Sequence, residues 1–276
     1  MNLDTQSPDS SPPPTRTSLR EWVDALQAKG AYTFLRSEAQ RVTGLAPGSM
    51  TVALNRLVKA GRIVSPHREF FVIVPLEYSL QGALPPSWFL DPLMSYLGMD
   101  YYVALLSAAA LHGAAHQQPQ AFQVMTVRPL RPAQAGTYRI QFFCKKKLPE
   151  CAFKRVKTET GTFRVSTPET TALDLVAYAR QAGGLSHVAT VLAELGEALR
   201  PEKLEEAARI AEPPTIQRLG FLLEQVGHGA IAACLEDQAR VRRTHIVPLR
   251  RERPRAGAEK NARWGLWIND VIEVDS

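Results

Sequence analysis

The chain has 276 residues, 45% of them hydrophobic and 22% charged, with a mean hydropathy of −0.16; this excludes wholesale disorder and leaves room for a small domain beside a larger one. A formal net charge of +6 and a pI of 9.3 favour a polyanionic partner. No run approaches the ~18 apolar residues of a bilayer span, and the start MNLDTQSPDSSPPPTRT lacks the order of a signal peptide, so no membrane and a cytoplasmic location are expected.

The positive charge is blocked rather than spread. Residues 31–70 carry six Lys/Arg against two acids, residues 145–164 seven against two, and residues 240–263 nine against two, while residues 166–237 reverse the sign with eleven acids against five bases. Distinct faces are expected from such segregation. Cys144, Cys151 and Cys234 form no CxxC pair and leave an odd count, as free thiols in a reducing compartment would.

In chain order, residues 1–17 are Ser/Pro-rich with almost no bulky apolar side chain and are expected to form a disordered tail. A helix follows over about Leu19 to Lys29, with Leu19, Trp22, Val23 and Leu26 on one stripe and Gly30 as its stop. A short second helix is expected over about Ser37 to Val42. From Pro47 to Ala60 the apolar positions Met50, Ala53, Leu54, Leu57 and Val58 fall at i, i+3, i+4, i+7 and i+8, the pattern of one helix face, with Pro47 in the first turn and Gly61 at the end. The other face carries Ser49, Thr51, Asn55, Arg56 and Lys59, all hydrogen-bond donors and none negative. Two extended runs, Arg62 to Ser65 and Phe70 to Val74, flank a tip of Pro66, His67, Arg68 and Glu69 and predict a two-stranded wing. Helix, short helix, amphipathic helix and hairpin in this order are a winged helix-turn-helix, over residues 18–76.

The Pro/Gly-containing stretch 77–87 reads as a linker to a C-terminal domain over residues 88–276. There, Tyr101 to Leu111 is apolar all round and predicts a buried helix ended by Gly113. Strands are expected over Phe122 to Val127, Tyr138 to Phe143, Ala152 to Lys157 and Thr162 to Val165, the last two as a hairpin through Glu159 to Gly161. Ser166 with Glu169 reads as a capping box opening a helix to about Arg180. Further helices are expected over Leu185 to Leu199, Pro201 to Ile210 and Thr215 to Gln225, then extended runs at His245 to Leu249 and Trp264 to Ile268. The fold class expected is α+β: a winged helix-turn-helix followed by a larger mixed α/β domain.

Arg36, Arg56, Lys59, Arg62 and Arg68 are expected to meet DNA phosphates, giving salt-dependent affinity without sequence preference. Ser49, Thr51, Asn55 and Arg56 are the candidates for base edges, since Asn pairs with adenine and Arg with guanine in bidentate fashion; Ser37 and the wing's His67 complete the DNA-binding set. The bland alternative is a winged helix used for protein contacts, against which the charge sign and the cationic tip weigh. The runs Lys145, Lys146, Lys147 and Arg250, Arg251, Arg253 are either a candidate extra polyanion surface or solvated loop charge.

Catalytic and cofactor motifs are not found. His112 and His116 stand four apart, a zinc-ligand spacing on a helix, but the Gly-Ala-Ala between them has no glutamate and Gly113 ends the helix, so no metal site is expected. No G-x-S-x-G turn, Walker A loop or kinase signature occurs, nor a Gly-Ser pair followed by Asp-x-Asp. No cofactor and no enzyme activity are expected.

The segments YTFLRSEAQRVTGLAPGSMTVALNRLVKAGRI, YYVALLSAAALHGAAHQQPQAFQVMT, STPETTALDLV and RWGLWIND resemble the AbiEi-type antitoxins of bacterial AbiE (type IV) toxin–antitoxin systems. Ser107–Gly113 with the strand after it is the more specific part, because winged helices are widely shared. The resemblance covers about Leu19 to the end. It implies a repressor of its own operon that binds double-stranded operator DNA through the N-terminal domain. It also implies a C-terminal domain that counteracts a nucleotidyltransferase-like toxin in a phage abortive-infection system, with or without a stable complex between the two. Relatives have been proposed to act as unusual kinases on the toxin, a role that no motif in this sequence supports. The resemblance supplies no catalytic residues. A stand-alone regulator with a ligand- or partner-sensing C-terminal domain, and an enzyme with an unrecognised site, are the competing readings.

Overall fold

The computed structural model describes residues 17–114, 119–243 and 245–274. The expected tail up to residue 16 and His116 of the zinc-like pair lie outside the described residues. Contacts divide the described residues into two compact units, one within residues 17–84 with Ala135–Thr137, the other within residues 85–134 and 138–274.

The first unit opens with α1 (Leu19–Ala28), started by a reciprocal cap: the Glu21 amide donates to Ser18 Oγ at 3.2 Å and the Ser18 amide to the Glu21 carboxylate at 3.0 Å. β1 (Thr33–Leu35) follows, a three-residue strand too short to show a period of two and absent from the sequence-based expectation. α2 (Arg36–Thr43) ends at Gly44 in the left-handed region, and α3 (Pro47–Lys59) begins on Pro47. Met50, Leu54 and Leu57 of α3 are buried with Leu19, Val23 and Phe34. Val58, expected in the same seam, is 43% exposed; eight residues past Met50 it lies about 80° round the helix, at the edge of the stripe.

β2 (Ile63–His67) and β3 (Phe70–Ile73) form the wing, and β1 pairs with β3 to give a three-stranded antiparallel sheet, order β1-β3-β2. β2 runs further than expected, taking in Pro66 and His67, so the tip is Arg68 and Glu69 alone. The register shifts between Val64 and His67, and Pro66, which has no amide to donate, sits in that irregularity.

The second unit starts with α4 (Pro86–Tyr96), whose first residues had read as linker; Pro86 occupies the first turn, where its missing N–H is harmless. The expected helix over Tyr101 to Leu111 is a correction: it is β4 (Tyr101–Val103) followed by α5 (Leu105–Leu111), broken at Ala104, with Leu105 at φ 52°. Unbroken apolarity does not tell a doubly buried strand from a buried helix, and β4 is buried on both faces, between β5 (Phe122–Thr126) and β9 (Gly161–Ser166). With β6 (Ala133–Ala135), β7 (Tyr138–Cys144) and β8 (Phe153–Thr158) they form a mixed six-stranded sheet, order β6-β7-β5-β4-β9-β8. The β8–β9 hairpin forms as the sequence suggests, but Gly161, expected in the turn, pairs with Thr158, which leaves Glu159 and Thr160 as the connection.

α6 (Pro168–Ala177) is capped by Thr167, whose hydroxyl accepts from the Thr170 amide at 3.2 Å, and not by Ser166. The ladder extends one residue further than expected, pairing Ser166 with Phe153. Glu169 is buried and accepts from the Arg200 amide at 3.2 Å. α7 (Leu185–Leu195), α8 (Pro201–Ala208) and α9 (Pro213–Gln225) pack with α6 in the main core. The short α10 (Gly229–Ala232) and α11 (Glu236–Arg242) were not foreseen. A small sheet, order β10-β12-β11, comprises Val247–Pro248, Leu266–Ile268 and Glu259–Asn261. Beside it the Trp264 ring is fully buried against Gly220 of α9, where a Cβ would lie 2.1 Å from a ring carbon.

Candidate nucleic-acid interface and C-terminal cavities

No Asp or Glu occurs between Glu38 and Glu69, so α3 and most of the wing carry only neutral or positive side chains. Ser49, Thr51, Asn55, Arg56 and Lys59 all lie on the exposed side of α3, and Ser37 is exposed on α2. Ser37, Ser49, Asn55, Arg56 and Lys59 make no side-chain hydrogen bond or ion pair among the described residues. Val52, 51% exposed in the middle of this face, was not singled out by sequence.

Three of the expected DNA ligands hold the unit together instead. Arg36 donates to the Pro47 carbonyl at 2.9 Å and to Thr51 Oγ1 at 2.6 Å, and its Nε stands 3.8 Å from the Glu69 carboxylate. The Thr51 hydroxyl in turn donates to Pro47 O at 3.0 Å, so both Arg36 and Thr51 are engaged within the protein. Arg62 donates to Asp24 at 2.6 Å, Gln27 at 3.1 Å and the Val74 carbonyl at 3.1 Å, tying α1 to the end of the wing. At the tip, the Arg68 side chain is 90% exposed, 3.9 Å from the Glu69 carboxylate, and His67 is exposed with Nδ1 3.1 Å from Arg68 O. Spacing along the chain identifies the surface of α3 but not these internal partners, which come from elements far away in sequence.

In the second unit the two basic runs meet. Lys145, Lys146 and Lys147, following β7, line a cavity of about 690 Å³ together with Arg251, Tyr102 and Tyr178. Beside it the carboxylate of Asp174, fully buried, receives the Tyr102 hydroxyl at 2.9 Å and pairs with the Lys145 ammonium. Burial raises the Asp174 carboxyl above the usual range, with the Lys145 charge opposing it. Burial, followed by the Asp174 charge, pushes the Tyr102 phenol well up. The Tyr178 hydroxyl donates to Cys144 O at 2.7 Å.

A second cavity of about 640 Å³ shares Ala177, Thr215 and Arg251 in its wall and adds Arg180, Arg218 and Arg250. Arg250 and Arg253 both pair with Asp270, at 2.6 and 2.5 Å, whereas Arg251 is exposed with no carboxylate partner among the described residues. Arg218 and Asp174, which anchor these walls, carried no sequence signal, because a charged residue inside an apolar helical pattern reads as an interruption. His112 Nε2 lies 2.7 Å from Ser166 O, and burial lowers its imidazole. Among the described residues there is no group of three or more metal-type side chains, and no helix is long and apolar enough to cross a membrane.

The family model for the AbiEi antitoxin C-terminal domain matches residues 102–225. Among solved structures, the RV2827C protein from Mycobacterium tuberculosis superposes with a TM-score of 0.65 at 17% identity, covering 89% of each chain, a likeness of fold. No curated protein matches by sequence.

Proposed function

We propose, from the match of residues 102–225 to the AbiEi antitoxin C-terminal domain, that the chain is a DNA-binding repressor of its own operon whose C-terminal unit counteracts a nucleotidyltransferase-like toxin. It acts in the cytoplasm and without catalysis of its own. The observation that carries the DNA-binding half is the exposed side of α3. Asn55, Arg56 and Lys59 stand there without side-chain partners among the described residues, in a stretch of chain free of acids. Arg56 and Lys59 neutralise phosphates, Ser49 and Asn55 face base edges, and Arg68 reaches the backbone from the wing. Arg36, Thr51 and Arg62 fix the helix and wing that present them. The antitoxin half rests on the family match.

The test is electrophoretic mobility of the chain's own promoter fragment over a salt series. Arg56→Ala combined with Lys59→Ala removes two phosphate contacts, and the slope of log K against log salt is expected to fall by about 1.8. Unchanged affinity and slope would remove α3 as the reader. For the second half, the full chain and a truncation starting at Pro85 are co-expressed with the neighbouring toxin gene. Rescue by both assigns protection to the C-terminal unit; rescue by neither overturns the antitoxin reading.

A further inference from the structure

Among the described residues lining the smaller cavity of the second unit, positive charge is in excess: Arg180, Arg218, Arg250 and Arg251 stand there with one acid, Glu252. Arg218 is 7% exposed, and its guanidinium donates to the carbonyls of Leu249 at 2.9 Å, Pro248 at 2.8 Å and Pro214 at 3.2 Å. Those three bonds leave two of the five N–H groups of a guanidinium, and no carboxylate pairs with it among the described residues. Arg180 and Arg251, both exposed, line the same space. The one acid lining it among the described residues is Glu252, also exposed. Burial, with the Arg251 charge next in size, lowers the Arg218 guanidinium to about 10. A buried cation beside a second cation, with only the exposed Glu252 charge opposing, gains when a further anion enters between them.

The cavity wall adds backbone donors. Gly183, Gly184 and Leu185 line it, and α7 begins at Leu185 with Gly184 as its N-cap. Glycine has no side chain to satisfy the first-turn amides, which with the helix dipole favour an anion at this end. Beyond the shared wall, the larger cavity offers Leu173, Ile210 and Tyr178 as an apolar bed.

We propose that these adjoining cavities form one site for a small phosphorylated ligand, its phosphoryl group held by Arg180, Arg218 and Arg251 at the start of α7 and any organic remainder lying against Tyr178 and Ile210. Guanidinium groups match phosphate oxygens in paired geometry, and the volumes, about 640 and 690 Å³, suit a small molecule rather than a duplex. The site is independent of operator binding, so failure of either reading leaves the other standing.

The test is titration calorimetry on the full chain with inorganic phosphate, AMP and adenosine, for wild type, Arg180→Ala and Arg251→Ala. Both replaced side chains are exposed, and thermal unfolding checks that the variants are folded. Phosphate and AMP are expected to saturate and to compete with each other, adenosine to give no signal, and each variant to weaken AMP about tenfold. Equal affinity for phosphate and AMP identifies free phosphate as the ligand; tighter AMP identifies a phosphate carried on an organic body. Absence of saturable binding, or folded variants that bind as wild type does, overturns the proposal. So does a result in which Arg180 and Arg251 hold only a DNA duplex, which would make the cavity mouth a nucleic-acid surface.

Discussion

Replacing Arg62 by Ala tests whether this cation builds the winged helix or contributes to the proposed DNA contact. Its side chain joins α1 to the end of the wing through Asp24, Gln27 and the Val74 carbonyl. The carbonyl bond contributes about 1 kcal/mol and the Gln27 bond about half that; the Asp24 pair, whose carboxylate side chain is 50% exposed, adds at most about 1 kcal/mol once solvent screens it. A total near 2 kcal/mol lowers amide protection about 30-fold, and for a unit of this size it lowers the unfolding temperature by about 8–16 °C. Hydrogen exchange on the full chain, read in peptides from α1 and β3, measures the first quantity, and operator binding over a salt series measures any lost phosphate contact. The expected result is weakened protection with an unchanged salt slope, the opposite of Arg56→Ala. Intact protection with a slope reduced by about 0.9 would show that Arg62 leaves its internal partners for the nucleic acid.

Two further outcomes follow from the second unit. Gly220→Ala puts a methyl group 2.1 Å from the Trp264 ring; overpacking of this kind costs about 1–3 kcal/mol, and a urea midpoint equal to wild type would show that the ring has room to shift. Asp174 has a folded-state carboxyl raised above its ordinary value by burial, so the folded protein holds a proton that the unfolded chain has released, and stability falls as pH rises through the window above the ordinary carboxylate range. Asp174→Asn removes that titration, so its stability relative to wild type is expected to improve between acid and neutral pH in denaturant unfolding. A relative loss over the same range would mean that the Lys145 attraction outweighs the burial.

The winged helix was legible because its signals are local. Pro47, the Met50–Leu54–Leu57 seam and Gly61 lie within one short stretch, and two short extended runs around a turn-rich tip marked the wing. β1 was not legible, since three residues carry no period and Thr33–Leu35 form a strand only because β3 supplies partners. Tyr101–Val103 failed for a different reason: a central strand covered on both faces shows the same unbroken apolarity as a buried helix. The shift of the α6 cap from Ser166 to Thr167 was set by β8, whose Phe153 extends the ladder by one pair. At the candidate sites, sequence identified which cations were abundant but not which were engaged. Arg56 and Arg62 look alike in the chain, and only the arrival of Asp24 and Gln27 from α1 distinguishes them. Lys147 and Arg251 shared no sequence signal for their common cavity, because the fold alone brings them together.

One side chain sets the mechanics of the N-terminal unit. Arg36 grips the first turn of α3 through Pro47 O and Thr51 and reaches the wing through Glu69, while its amide donates to Glu69 O at 3.0 Å. Hairpin and helix are thereby clamped into a caliper of fixed gauge. On the proposed DNA-binding reading, a duplex whose groove spacing departs from that gauge would have to deform to fit, and stiffness of the base steps would enter selectivity even at positions no side chain touches.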